Sequence, residues 1–228
     1  MKKVLVDGRI SQKCESTLIS LGYAIIKLPP FPRLPAPVAS HPDMLVFIDK
    51  NKLICHADYY PIAKAELESI GLEIVRTEEP IENVYPRDIL FNAAKVGNCI
   101  FCKTDYISKE IKKLEYKLID IKQGYAKCSC CTVSDKAIIT SDPSLERAAV
   151  SVGVDVLKIS PAHIELPGYD TGFIGGASGV TDDFVVFCGN IDTHPDASKI
   201  KIFCKKHGKD TISLSDEPLF DLGTLFFL

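Results

Sequence analysis

The chain has 228 residues, enough for one large domain or two small ones. Its 46% hydrophobic content suits a packed core, and a formal net charge of −3 leaves no basic face for nucleic acid and no polybasic run for a membrane surface. No apolar run approaches the ~18 residues of a membrane span, and Asp7 and Arg9 interrupt the apolar stretch that a secretion signal would need after Lys2-Lys3.

In chain order, "KKVLVD" reads as a strand ending at Asp7. It is followed by a helical face of Cys14, Leu18 and Leu21, a stop at Gly22, and the strand "YAIIKL". "PPFPRLPAPVASHP", with six prolines, is an extended connector. "DMLVFI" from Asp43 and "KLICHAD" to Asp58 are two strands. They precede a helix with Pro61 near its start and Gly71 past its end, then the strand "LEIVR". The same order recurs with "DILFNA" from Asp88, "NCIFCKTD" to Asp105, a helix through Ile107, Ile111 and Leu114, and "YKLIDI". It recurs again with "CCTVS", "KAIITSD" to Asp142, a helix from Pro143 to Gly153, and "VDVLKI". "DTGFIGG" from Asp170, "FVVFCGNID" to Asp192, a helix ending at Gly208 and "TISL" make another such unit. "DLGTLFFL", from Asp221, is a strand without a unit, and the first unit lacks its leading strand.

The simplest resolution is that the last strand completes the first unit. Five strand–strand–helix–strand units then form a circular α/β array, one domain over residues 1–228, closed by its own termini. The glycines from Gly168 to Gly179 join one strand to another and open no helix, so they are not a phosphate loop. They point to a bulge or a close backbone approach.

In a hairpin the start of the first strand lies beside the end of the second. Asp43, Asp88, Asp170 and Asp221 start first strands, while Asp7, Asp58, Asp105, Asp142 and Asp192 end second ones, so one side of the ring collects the acids. The second set suits helix caps and turns. The first set should converge on the axis, where like charges need a cation, a proton or an arginine, and Arg87 is the internal partner expected for Asp88. Nine cysteines, mostly inside apolar runs, read as free thiols in a reducing cytoplasm. "KCSCC" is the exception, open to metal, a reactive thiol or plain strand packing. No second Cys/His cluster has the spacing of a structural metal site, so no metal or cofactor is expected.

Five such units, one opened by "YPRDILFN", resemble the pentein or guanidine-modifying superfamily of arginine deiminases, dimethylarginine hydrolases and amidinotransferases. The non-catalytic ribosome anti-association factor shares that fold. The nearest likeness is to small bacterial members without the usual Cys/His catalytic pair. The resemblance implies a five-unit pseudo-symmetric propeller in which Arg87-Asp88 matches a pair whose acid helps hold the substrate guanidinium. The enzymes' His-x-Asp element falls on Gly168-Tyr169-Asp170, without the histidine, and the last strand lacks their nucleophilic cysteine. The expected function is binding of a small cationic, guanidino or amino-acid-like ligand by Asp43, Arg87, Asp88, Asp170 and Asp221, without deiminase chemistry. The alternatives are a divergent hydrolase using the Cys130 or Cys131 thiolate, and a scaffold that binds a macromolecule. Oligomeric state is left open.

Overall fold

The computed structural model describes residues 2–228. Strand β1 (Lys2–Asp7) is buried from Val4 onward because it has a partner on both sides. Strand β2 (Tyr23–Leu28) runs parallel to it, from Lys2 opposite Tyr23 to Asp7 opposite Leu28. On the other side β15 (Phe226–Phe227) is antiparallel, with Val4 opposite Phe227 and Leu5 opposite Phe226. The last strand therefore completes the first unit, as its unpaired pattern required.

The other units repeat this order, giving five three-stranded sheets among the described residues. Strands β3 (Val46–Asp49), β4 (Lys52–His56) and β5 (Glu73–Thr77) form one. Strands β6 (Ala94–Val96), β7 (Cys99–Cys102) and β8 (Lys117–Asp120) form the next. Strands β9 (Cys131–Ser134), β10 (Ala137–Thr140) and β11 (Asp155–Lys158) follow, then β12 (Ser178–Val180), β13 (Phe184–Phe187) and β14 (Asp210–Ser213). Each first strand is antiparallel to the second, and each third strand, reached through a helix, is parallel to it.

The helices are α1 (Gln12–Ser20), the short α2 (Pro42–Leu45), α3 (Lys64–Ile70), the short α4 (Lys109–Lys112), α5 (Pro143–Ser151) and α6 (Ala197–Lys206). Asp142 caps α5 by accepting from the Ser144 and Leu145 amides, at 2.8 and 2.7 Å. Gly71 ends α3 with φ of 85°, a conformation glycine adopts without a Cβ clash. The apolar stripes pack onto the sheets: Ile200, Phe203 and Cys204 of α6 join Val185 and Phe187 of β13 in one core cluster. No helix among the described residues is long and apolar enough to cross a membrane.

The first strands are shorter than the sequence pattern predicts. Asp43 lies in α2, and Asp88, Asp170 and Asp221 lie in the segments leading to β6, β12 and β15 rather than in the strands. Those segments fold across the end of the ring, where Asp43, Asp88 and Asp221 are all buried.

The glycines serve a neighbouring side chain. A Cβ at Gly172 or Gly176 would collide with the Asp221 side chain, and one at Gly175 with the carbonyls of Lys127, Cys128 and Cys130. Gly179 bridges to Leu225 and has no room for a side chain against it and Phe227. The run is a loop shaved down so that the C-terminal segment can reach the axis.

Removal of residues 219–228 deletes β15 and the buried Leu219, Leu222 and Leu225. At about 2 kcal/mol or more for each buried leucine, the loss rivals a total stability of roughly 5–15 kcal/mol. The truncated chain should lose its cooperative thermal transition, and retention of a full-amplitude melt would contradict the closure. Gly176→Ala forces a methyl group onto the Asp221 carboxylate and should cost about 1–3 kcal/mol in urea denaturation.

Candidate functional site

All five first strands line a cavity of about 310 Å³ on the ring axis. Val46, Phe47 and Ile48 come from β3, Lys95 from β6, Thr132 from β9, Ser178 to Val180 from β12, and Phe226 and Phe227 from β15. Asp43, Lys127 and Thr224 lie where these strands begin and form the floor. Lys95 and Leu228 lie towards the strands' far ends. A larger groove of about 680 Å³ adjoins it on the hairpin side, but its acids, Asp135, Asp182 and Asp183, are exposed loop residues rather than a convergent set.

Asp43 is buried at 1% exposure. Its Oδ2 accepts from the Thr224 hydroxyl at 2.9 Å and the Cys128 thiol at 3.1 Å, while Oδ1 has no partner. Burial raises its pKa; the Cys128 hydrogen bond, the Lys127 charge and the Thr224 hydrogen bond pull the other way. Lys95 is neutralised locally by Asp49, which also accepts from the Tyr116 hydroxyl at 2.8 Å. Lys127 is different. Its ammonium reaches the Cys130 carbonyl at 3.3 Å, and no carboxylate among the described residues lies within ion-pair distance. Thr224 holds a φ of 72°, unusual for a β-branched residue and worth roughly 1–3 kcal/mol of strain. It is kept there by its amide bond to the Gly176 carbonyl, at 2.9 Å, and by Asp43.

Beneath the floor, His41 is 1% exposed and sits between two carboxylates. Its Nε2 is 3.8 Å from Asp7 Oδ2 and its Nδ1 is 3.8 Å from Asp221 Oδ1, and neither nitrogen has a hydrogen-bond partner. Burial lowers its pKa, against the pull of the Asp221 and Asp7 charges. Each unpartnered buried polar group of this kind costs roughly 1–3 kcal/mol. Asp7 is anchored by Arg9, whose Nη2 lies 2.6 Å from Oδ2. Asp221 accepts from the Gly223 and Phe173 amides at 3.0 and 2.9 Å, and burial pushes its pKa up to about 6. Asn92 donates to Cys128 Sγ at 3.1 Å, and its own carbonyl oxygen accepts from the Lys127 amide at 2.7 Å. Burial and then the Asp43 and Asp221 charges raise the Cys128 thiol well above the ordinary range.

Of the four acids expected to share the axial pocket, only Asp43 lines it. Asp221 is in the layer below. Asp88 is fully buried elsewhere, its Oδ2 accepting from the Tyr125 hydroxyl at 2.7 Å and its Oδ1 unpartnered; burial raises its pKa. Arg87 does not pair with it. The guanidinium stays in water against Glu82 at 3.2 Å, which avoids the cost of burying an ion. Asp170 is exposed and lines a shallow depression with His163, Glu165 and Tyr169, because the glycine loop enters the ring only after it. Cys130 and Cys131 are buried in two apolar clusters, and burial raises both thiols, Cys130 to about 11. The thiol at the axis is Cys128. Its neighbours are His41, two residues before Asp43 in an "HPD" stretch that also occurs at His194 and carries no signal by itself, and Asn92, which closes "DILFN".

A model for a family of unknown function (DUF6873) matches residues 5–226, nearly the whole chain. The chain belongs to that family. No curated protein matches it. Among solved structures it is similar to the amidinotransferase SxtG of the saxitoxin pathway from Microseira wollei. Identity there is 12%, the TM-score 0.56, and the match covers 88% of this chain and 72% of the other. It is also similar to DDAH from Pseudomonas aeruginosa in complex with citrulline, at 10% identity, TM-score 0.55, and 94% and 92% of the two chains. Agmatine deiminase from C. jejuni matches at 8% identity, TM-score 0.53, and 94% and 86% coverage. These are pentein folds, and this family member shares the fold.

The burial pattern predicts thiol reactivity. With a membrane-permeant alkylating reagent on the native protein, Cys99, the one half-exposed thiol, should react first. Cys128, Cys130 and Cys131 should label only on unfolding. Fast labelling of Cys130 or Cys131, read by peptide mass spectrometry, would reinstate a catalytic thiolate there.

Proposed function

We propose that this pentein-fold protein binds a small amino-acid-like or guanidino ligand in the axial cavity without deiminase chemistry. One observation carries the reading. The same small, mostly apolar cavity has at its floor a carboxylate, Asp43, and an ammonium, Lys127, that has no carboxylate of its own. A few convergent polar groups in an apolar cleft are the usual form of a small-molecule site. In this reading a ligand's amino or guanidino N–H groups address the Asp43 carboxylate, its own carboxylate meets Lys127, and its aliphatic part lies against Phe47, Phe91 and Phe226. Structural neighbours include a protein solved with citrulline, a molecule of this class.

Catalysis of the guanidine-modifying kind needs an accessible thiolate and a proton donor for the leaving amine. The terminal segment contributes Thr224 to the cavity and no thiol, and the cysteines nearest the axis are buried with raised pKa values. This supports binding over turnover.

A thermal-shift screen of arginine, citrulline, agmatine and ordinary amino acids tests the proposal. A ligand at a hundred times its Kd stabilises by about 2.7 kcal/mol, an easily read shift. Lys127→Met should weaken a carboxylate-bearing ligand by roughly 1.5–3 kcal/mol, the value of a charged hydrogen bond, and spare agmatine, which has no carboxylate. Citrulline release from arginine at an enzymatic rate, or the absence of any shift across the panel, would overturn it.

A further inference from the structure

His41, Asp43 and Cys128 come from distant parts of the chain, yet one potential ligand atom from each lies within 4.8 Å of the other two, all buried. We propose that they form a divalent transition-metal site, best suited to zinc, beneath the cavity floor. Nitrogen, carboxylate oxygen and sulfur are the donors that zinc takes, and three protein ligands leave a fourth position for water or another group.

The independent sign is the histidine. Both ring nitrogens of a nearly inaccessible imidazole lack a hydrogen-bond partner, and so does Asp43 Oδ1. Native structures rarely leave three such atoms unpaired in one place, and an ion satisfies two of the groups at once. The surroundings match a metal ligand's outer layer. Whichever imidazole nitrogen takes the ion, the other faces a carboxylate at 3.8 Å, Asp7 on one side or Asp221 on the other. Asn92 donates to the sulfur at 3.1 Å and is itself held by the Lys127 amide.

The charges balance. The Cys128 S–H bond breaks, its proton leaves to solvent, and the sulfur lone pair goes to the metal. One thiolate and one carboxylate then neutralise a dication, and neutral His41 supplies its lone pair without a charge of its own. Asn92 keeps its bond to the sulfur.

The site shares Asp43 with the cavity floor, so the test separates the two by using the full chain, stripped with a chelator and with no small molecule added. Zinc titrated against a chromophoric competitor should bind one equivalent per chain and raise the melting temperature. Cobalt in its place should give a thiolate-to-metal charge-transfer band. Cys128→Ser should abolish the band and His41→Asn the stoichiometric binding, while Cys130→Ser leaves both intact. Asn92→Ala should weaken affinity by about 10–100-fold. If a variant fails to fold, the wild-type cobalt spectrum still decides. Absence of a charge-transfer band, or a band that survives in Cys128→Ser, overturns the proposal.

Discussion

The docking of the C-terminal segment governs everything at the axis. Residues 221–228 do three things in one pass. Asp221 enters a cradle of glycine backbone, Thr224 hydrogen-bonds Asp43, and Phe226 and Phe227 pair with β1. Each depends on the others, because the Gly176 carbonyl accepts from both the Leu222 and Thr224 amides and Ser178 accepts from Leu225. Covering the open edge of β1 also removes a strand edge that would otherwise invite pairing with another chain. The buried carboxylate is the expensive part. Two amide donors offset only some of the cost of keeping Asp221 out of water, which is why its pKa stays raised.

That arrangement gives the cavity its character. Acids crowd the side of the ring where the first strands begin; Asp7, Asp43, Asp88 and Asp221 are buried there, while Asp58, Asp105, Asp170 and Asp192 stay exposed. What faces the cavity is one carboxylate, two lysines and a collar of aromatic and branched side chains. Lys95 is tied to Asp49, so Lys127 and Asp43 are the charged side chains left to orient a guest. Behind the floor, the His41 imidazole, the Cys128 thiol and the Asn92 amide form a further layer whose polar atoms are incompletely paired. Eight of the nine thiols are buried, and only Cys99 is half-exposed.

The architecture was legible because its signals are local. Strands such as "AIIT" and helices with a stripe such as Leu145 and Ala149 declare themselves within a few residues, and five repeats of one order leave little choice of topology. The closure was readable because two incomplete units complement each other. The site was much less so. Equivalent positions in the repeat put Asp43 and Asp221 on the axial side of the ring, but only Asp43 lines the cavity. Asp170 falls outside the ring because β12 starts at Ser178, after Gly172, Gly175 and Gly176, rather than at Asp170. Arg87 and Asp88 are neighbours in sequence, but the chain sends one side chain outward and the other inward, which composition cannot reveal. Cys128, His41 and Asn92 meet through the ring, with no spacing rule to connect them, and the more conspicuous Cys130 and Cys131 belong to apolar clusters on either side of β9.

The most direct test of the account is native-state hydrogen exchange at the amides of Thr224, Leu225 and Leu228, which donate to Gly176, Ser178 and Lys3. If the terminal segment is the keystone of the ring, Thr224 and Leu225 exchange only through global unfolding, as slowly as the buried amides of β1. Leu228, at the chain end, should be protected more weakly. Exchange of Thr224 and Leu225 at the rate of a frayed terminus, with β1 still protected, would show that the axis is assembled without the segment and would contradict the account.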